Sequence, residues 1–123
     1  MNETSATRHT NIRRQDGVVV LKPRAHLIGG DETDELERLI DQFDAEQISG
    51  LVINLGAVGL MNSTAVSQLV RAHLKFTKRG AKAVLCGVDR KLENVFVVTK
   101  LSLVFEVCPD EDAAIAACRR PAK

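Results

Sequence analysis

The sequence predicts an α/β fold: one domain with an N-terminal β-hairpin, then alternating helices and strands around a mostly parallel sheet flanked by helices. Three observations carry this. Asp16-Gly17 between two short candidate strands, residues 11–15 and the apolar 18–22, is a two-residue hairpin signal. Leu51-Val52-Ile53-Asn54-Leu55 has the length and β-branched content of a buried strand. After the hairpin, stretches of helical and strand periodicity alternate, which implies crossover connections between parallel strands.

Taken in order, residues 1–10 are polar and aperiodic and read as a flexible tail. Residues 11–15 and 18–22 form the hairpin, stopped by Pro23. Residues 24–30 form a loop holding His26, a lone histidine with no partner set for catalysis. Gly29-Gly30 gives backbone freedom but lacks the glycine spacing of a phosphate-binding loop. Residues 31–43 are an amphipathic helix with Leu36, Leu39, Ile40 and Phe43 on one side. Its early carboxylates, Asp31, Glu32, Asp34, Glu35 and Glu37, suit the helix dipole and read as a solvated acidic face.

The strand at 51–55 leads through Gly56-Ala57-Val58-Gly59 and Leu60-Met61 to Asn62-Ser63-Thr64, three capping residue types in succession. From Ala65 the apolar residues Val66, Leu69 and Val70 recur at helical spacing, and Gly80 follows Lys78-Arg79 as a terminator. Residues 81–86 read as a strand, 89–99 as a helix with Leu92, Val95 and Phe96 on one face, and 103–107 as the last strand. Residues 110–118 form the closing helix and 119–123 a polar end, so the domain occupies 11–118.

Composition excludes several classes. The 123 residues suffice for one core without covalent staples. A net charge of +1, four phenylalanines and no tryptophan or tyrosine offer neither a basic stripe nor a stacking platform, so nucleic acid is not expected as a partner. Cys86, Cys108 and Cys118 are widely spaced and odd in number, which argues against a disulfide framework or zinc site; Cys86 reads as a small buried residue. No metal or cofactor is expected. No apolar run is long enough for a signal peptide or membrane span, so a cytoplasmic protein without membrane insertion is expected.

The hydroxyls of Ser63 and Thr64 lie where the first N–H groups of a helix lack intrahelical partners. The plain reading is an N-cap. The other is a phosphoacceptor, since a helix N-terminus stabilises added negative charge. The segment LxxVxxMNSTAVSxLVxAHxxxxxxG resembles the central motif of the STAS domain, the fold of bacterial anti-sigma factor antagonists. Residues 80–88 resemble that family's glycine-rich strand entry, and Val95 to Leu101 its Leu-Phe-x-x-Ser/Thr-Gly-Leu segment, with Lys100 in place of glycine. The likeness spans about residues 11–117.

The resemblance implies that Ser63, or Thr64 as the alternative, is phosphorylated by a kinase-type anti-sigma factor that the unmodified protein binds. It further implies a partner surface of Leu60, Asn62, Ser63 and Thr64 with His26 and Ile28 from the preceding loop. Three residues depart from the family pattern: Asn62 stands for the usual Asp, Ala65 for Gly, and Ile28 for the Asp of a Gly-x-Leu-Asp stretch. A second class of function is therefore carried forward, a scaffold subunit of a stress-sensing or transporter complex that never cycles through phosphorylation. An enzymatic reading is set aside. Ser63 and His73 are separated by about 15 Å of helix, and Asn54 and Gly56 occupy the strand end where a receiver domain needs its aspartate.

Overall fold

The hairpin expected from Asp16-Gly17 forms, but as the centre of a three-stranded antiparallel unit. In the computed structural model, which describes residues 3–120 apart from the side chains of Lys91, Val97 and Ser102, the elements are β1 (Glu3–Ala6), β2 (Thr10–Gln15), β3 (Val18–Pro23), α1 (Asp31–Ala45), β4 (Gly50–Asn54), α2 (Ser63–Lys78), β5 (Lys82–Cys86), α3 (Arg90–Val98), α4 (Leu101–Val104), β6 (Val107–Cys108) and α5 (Glu111–Arg119). One sheet takes the order β1-β2-β3-β4-β5-β6. The β1–β2 and β2–β3 pairings are antiparallel and the other three are parallel.

Side chains alternate across the strands, so the two faces have separate cores. Val19, Leu21, Leu51, Ile53 and Leu85 face α1, α2, α3 and α4, where Leu36, Phe43, Leu69, Phe76, Leu92 and Leu101 complete the larger core. Val18, Val20, Val52, Val84 and Cys86 face α5 and meet Ala114, Ile115, Ala117 and Cys118. That second interface is close: a Cβ on Gly50 would lie 2.7 Å from the Cβ of Cys118. Burial pushes the Cys86 thiol up to about 12 and the Cys118 thiol to about 11, so both serve as small apolar groups.

Two expectations are corrected. Part of the expected N-terminal tail is strand β1, laid along β2 in the register Glu3↔Arg14 to Ala6↔Asn11. The turn after it is clasped by Glu35 of α1, which is 8% exposed and accepts the Thr7 hydroxyl and, at 2.9 Å, the His9 N–H. Burial raises the Glu35 carboxyl, yet these hydrogen bonds, with His9 and Arg38, outweigh it and hold the group below its ordinary value. The outer parts of the two expected tails, residues 1–2 and 121–123, lie outside the described residues.

The second correction concerns 103–107, expected as a strand. Its first half is helical, in α4, and β6 is only two residues long. A strand there would bury Leu103, Phe105 and Val107 on one face, whereas Leu103 is 81% exposed. Burial falls instead on Leu101 and Phe105, four apart, closed by a Phe105 N–H to Leu101 C=O bond of 2.9 Å.

Candidate functional site

The sequence-predicted site lies where two loops meet above the parallel strands. Strand β4 ends at Asn54, and the chain turns through a Val58 N–H to Leu55 C=O bond of 3.0 Å. It then runs beside the β3–α1 loop, where Leu27 and Met61 form an isolated parallel bridge. Leu27 donates its N–H to the Leu60 carbonyl and accepts the Asn62 N–H, both at 3.0 Å. A third tie joins the same loops, from the Gly59 N–H to Nδ1 of His26 at 3.0 Å.

This zipper decides what faces outward. Leu27 is wholly buried, so its neighbour Ile28 turns out and is 60% exposed; across the zipper Leu60 is 59% exposed. His26 is exposed as well, although its ring nitrogen is engaged. The six residues proposed from sequence are thus brought onto two adjoining loops and one helix start.

Asn62 alone caps α2. Its backbone is extended and its side-chain oxygen accepts the Ala65 N–H at 3.1 Å. Ser63 and Thr64 are therefore the first two helical residues, both exposed, and among the described residues neither hydroxyl has a hydrogen-bond partner. Ala65 turns inward and is fully buried. The first turn of α2 contains no acidic residue, so nothing in it offsets the positive end of the helix dipole.

The start of α1 completes the platform through Gly29, read from sequence only as backbone freedom, and Glu32, expected as part of a solvated acidic face but found engaged with its own helix end. Glu32 folds back over its own helix end, and its Oε1 accepts the Ile28 N–H at 2.9 Å, the Gly30 N–H at 3.0 Å and the Thr33 hydroxyl at 3.1 Å. The Ile28 N–H does most to lower its carboxyl, to about 2, against an opposing push from burial. Gly29 has φ +90°, and a Cβ there would stand 2.7 Å from the Asn62 side-chain nitrogen. Only glycine allows that turn and that approach together. The visible signal was Gly29-Gly30 followed at once by an acidic first turn, which marks a helix entry rather than a phosphate loop.

Ser63 and His73 are not brought together. They occupy opposite parts of α2, and the His73 ring packs edge-on against Phe105 with centroids 5.2 Å apart. Asp31 and Asp34 are exposed on α1. Among the described residues no three histidine, cysteine or acidic side chains gather as a metal-binding group, and no helix is long and apolar enough to cross a membrane.

The family described as STAS domain matches residues 9–114. No curated protein matches the chain in sequence. Among solved structures, an anti-sigma factor antagonist from Mycobacterium paratuberculosis is 25% identical, with a TM-score of 0.76 over 90% of this chain and 93% of its own. The cell fate determinant SpoIIAA of Bacillus, solved in its phosphorylated form, is 13% identical with a TM-score of 0.67 over 97% of this chain and 100% of its own. A sulfate transporter family protein from Wolinella succinogenes is 19% identical, with a TM-score of 0.73 over 85% and 87%. For the last two the likeness is one of fold.

Proposed function

The chain belongs to the STAS domain family, and from that premise we propose that it is an anti-sigma factor antagonist, binding a kinase-type anti-sigma factor until Ser63 is phosphorylated. The observation that carries the reading is an exposed hydroxyl, without a hydrogen-bond partner among the described residues, at the first residue of a helix whose first turn is free of acid, flanked by the outward apolar side chains of Ile28 and Leu60. In this mechanism Ser63 is a substrate. Its Oγ attacks the γ-phosphorus of ATP held by the partner, the bond to the β-phosphate oxygen breaks, and ADP leaves. The hydroxyl proton passes to a base on the partner.

The product carries about two negative charges where the partner had covered an apolar, neutral patch. Helix α2 tolerates them, because free N–H groups and the dipole favour an anion there. The docked partner does not, since burying a hydrated phosphoryl group against it is costly. A difference of about 3–5 kcal/mol weakens the complex by about 150-fold to a few thousand-fold.

The test uses a kinase-type anti-sigma factor captured by affinity purification on the chain. Incubation with ATP is expected to give a mass shift confined to Ser63, with Thr64 as the alternative acceptor. Ser63→Asp is expected to weaken the complex measured by calorimetry while Ser63→Ala preserves it; equal affinities would remove the switch. A second reading, a scaffold that never cycles through phosphorylation, draws on Asn62, Ala65 and Ile28. It predicts no mass shift and partner affinities indifferent to Ser63→Asp.

A further inference from the structure

The two loops of the platform are held by ties of two kinds, and one kind depends on a proton. Leu27 clasps Leu60 and Asn62 through backbone groups alone. The Gly59 N–H instead donates to Nδ1 of His26 at 3.0 Å. Backbone carbonyls accept at any pH, whereas an imidazole nitrogen accepts only while it carries no proton. The geometry thus fixes the tautomer: neutral His26 bears its proton on Nε2 and leaves Nδ1 bare.

Gly59 is where this tie has most leverage. The chain passes there from Val58, which is buried, to Leu60, which is 59% exposed, over a single residue. Val58 is pinned from the inner side by its N–H to the Leu55 carbonyl at 3.0 Å. Among the described residues His26 is the sole acceptor for the Gly59 N–H. Protonation sets a second donor against that N–H, and the tie becomes a repulsion. The Leu60 segment is then joined to the β3–α1 loop by Leu27 alone.

The charges around the ring leave it free to respond. Residues 55–70, which supply the β4–α2 loop and the first turns of α2, contain no charged side chain. In the loop of His26 itself, Arg24 is occupied by Asn11 and by the Thr7 and Arg8 carbonyls. At the start of α1, Asp31 is exposed, and Glu32 is engaged by the Ile28 and Gly30 N–H groups. Held at about 2, Glu32 stays ionised through neutral and weakly acid pH. The β5–α3 connection, whose Gly87 adjoins Gly56, adds Asp89 and Arg90, both exposed. Among the described residues His26 forms an ion pair with none of them.

We propose that His26 is a proton-operated latch on the docking face. Neutral, it holds Gly59 and presents Leu60. Protonated, it releases Gly59, loosens the Leu60 segment and sets a positive charge beside the apolar patch. Acid therefore weakens docking with no change at Ser63. What the latch controls rests on the function proposed above; the latch itself is a property of the free chain.

The test begins with the full chain alone, followed by ring and backbone nitrogen resonances and hydrogen exchange at about pH 8 and about pH 5. At the higher pH the His26 ring is expected to show Nδ1 bare and Nε2 protonated. On acidification the Gly59 and Leu60 amides are expected to shift with the midpoint of the His26 ring. Protection of the Gly59 N–H, corrected for the intrinsic pH dependence of exchange, is expected to fall about five-fold. His26→Asn places an oxygen as many bonds from the backbone as Nδ1 and does not titrate, so it should keep the protection at both pH values. His26→Phe has no acceptor and should lack it at both. His9 and His73 are present in all three proteins, so whatever they contribute cancels. Calorimetry with the captured anti-sigma factor is expected to show affinity falling about five-fold more for the parent than for His26→Asn between the two pH values. The proposal is overturned by a protonated Nδ1 at the higher pH, by a Gly59 amide indifferent to the His26 ring, or by equal pH dependence of affinity in the parent and His26→Asn. Absence of phosphorylation at Ser63 would remove the switch proposed above and leave the free-chain results in place.

Discussion

The starts of α1 and α2 stand side by side and meet the same electrostatic problem in opposite ways. Helix α1 has Gly30 at its N-cap with no side-chain cap, and it brings Asp31, Glu32 and Asp34 to its first turn. Glu32 turns back onto the free N–H groups, so this helix carries its own anion. Helix α2 is closed by the neutral Asn62, and its first turn has no acid. One dipole is already answered and the other is left open. An added phosphoryl group would be repelled at the first and favoured at the second. Asparagine at position 62 in place of the family's aspartate makes the difference larger: capping is kept while the charge is withdrawn.

The largest expected effect comes from breaking both starts at once. Gly29→Ala imposes a left-handed backbone on a residue with a Cβ and drives it against the Asn62 side chain, 2.7 Å away. Strain of about 1–2 kcal/mol adds to a weakened cap worth about 1 kcal/mol. A loss of about 2–3 kcal/mol in urea unfolding is expected, with altered amide signals at Ile28 and Ser63. A change confined to α1 would mean that the two starts are not coupled.

Asn62→Ala acts on α2 alone. Removing the acceptor of the Ala65 N–H is expected to cost about 1 kcal/mol. Serine at the same position should recover most of it. The amide signals of Glu32 and Thr33 should stay in place, which separates this change from Gly29→Ala.

How much of this could be read from the sequence follows from the range of the forces involved. The cap, the amphipathic faces of α1 and α2 and the apolar run of β4 are local patterns, and they formed where periodicity put them. Strand β1 is not local. Its four residues are all exposed, and what orders the chain there is the ladder to β2 and the clasp of Glu35 on Thr7 and His9, 28 and 26 residues away. The 103–107 stretch failed for a different reason. Its β-branched, apolar composition suits a strand, but tertiary packing required Leu101 and Phe105 to be buried together, and only helical spacing does that. At the site, Ser63 was legible because a motif surrounds it. The importance of Glu32 was not, because its effect depends on a fold-back over Ile28 and Gly30 that no periodicity encodes.

A gentler perturbation of α1 is pH. The Glu32 carboxyl is held at about 2 in the folded chain, below the roughly 4.3 of an unfolded glutamate. A depressed value contributes stability that is complete above the unfolded pKa and is lost as pH falls from there through the folded one. Glu32→Gln removes that increment. The variant should be less stable than the parent at neutral pH, and their unfolding curves should converge as pH approaches 2. A gap that stays constant through this range would show that Glu32 acts by packing rather than by charge.

The smallest expected effect is also the most direct probe of the open dipole. Asn62→Asp keeps an oxygen for the Ala65 N–H and restores the charge typical of the family. At a helix start such a charge is worth about 0.3–1 kcal/mol at low ionic strength. Here Glu32 reduces the gain, because its loop presses Gly29 against position 62. A net stabilisation of a few tenths of a kcal/mol is therefore expected at low salt, fading as salt screens both interactions. Combining Asn62→Asp with Glu32→Gln should make the gain larger, since the dipole of α2 then acts without the opposing carboxylate. If the double change shows no such increase over the two single ones, the helix starts do not sense each other's charge, and α2 would accept an anion whatever α1 carries.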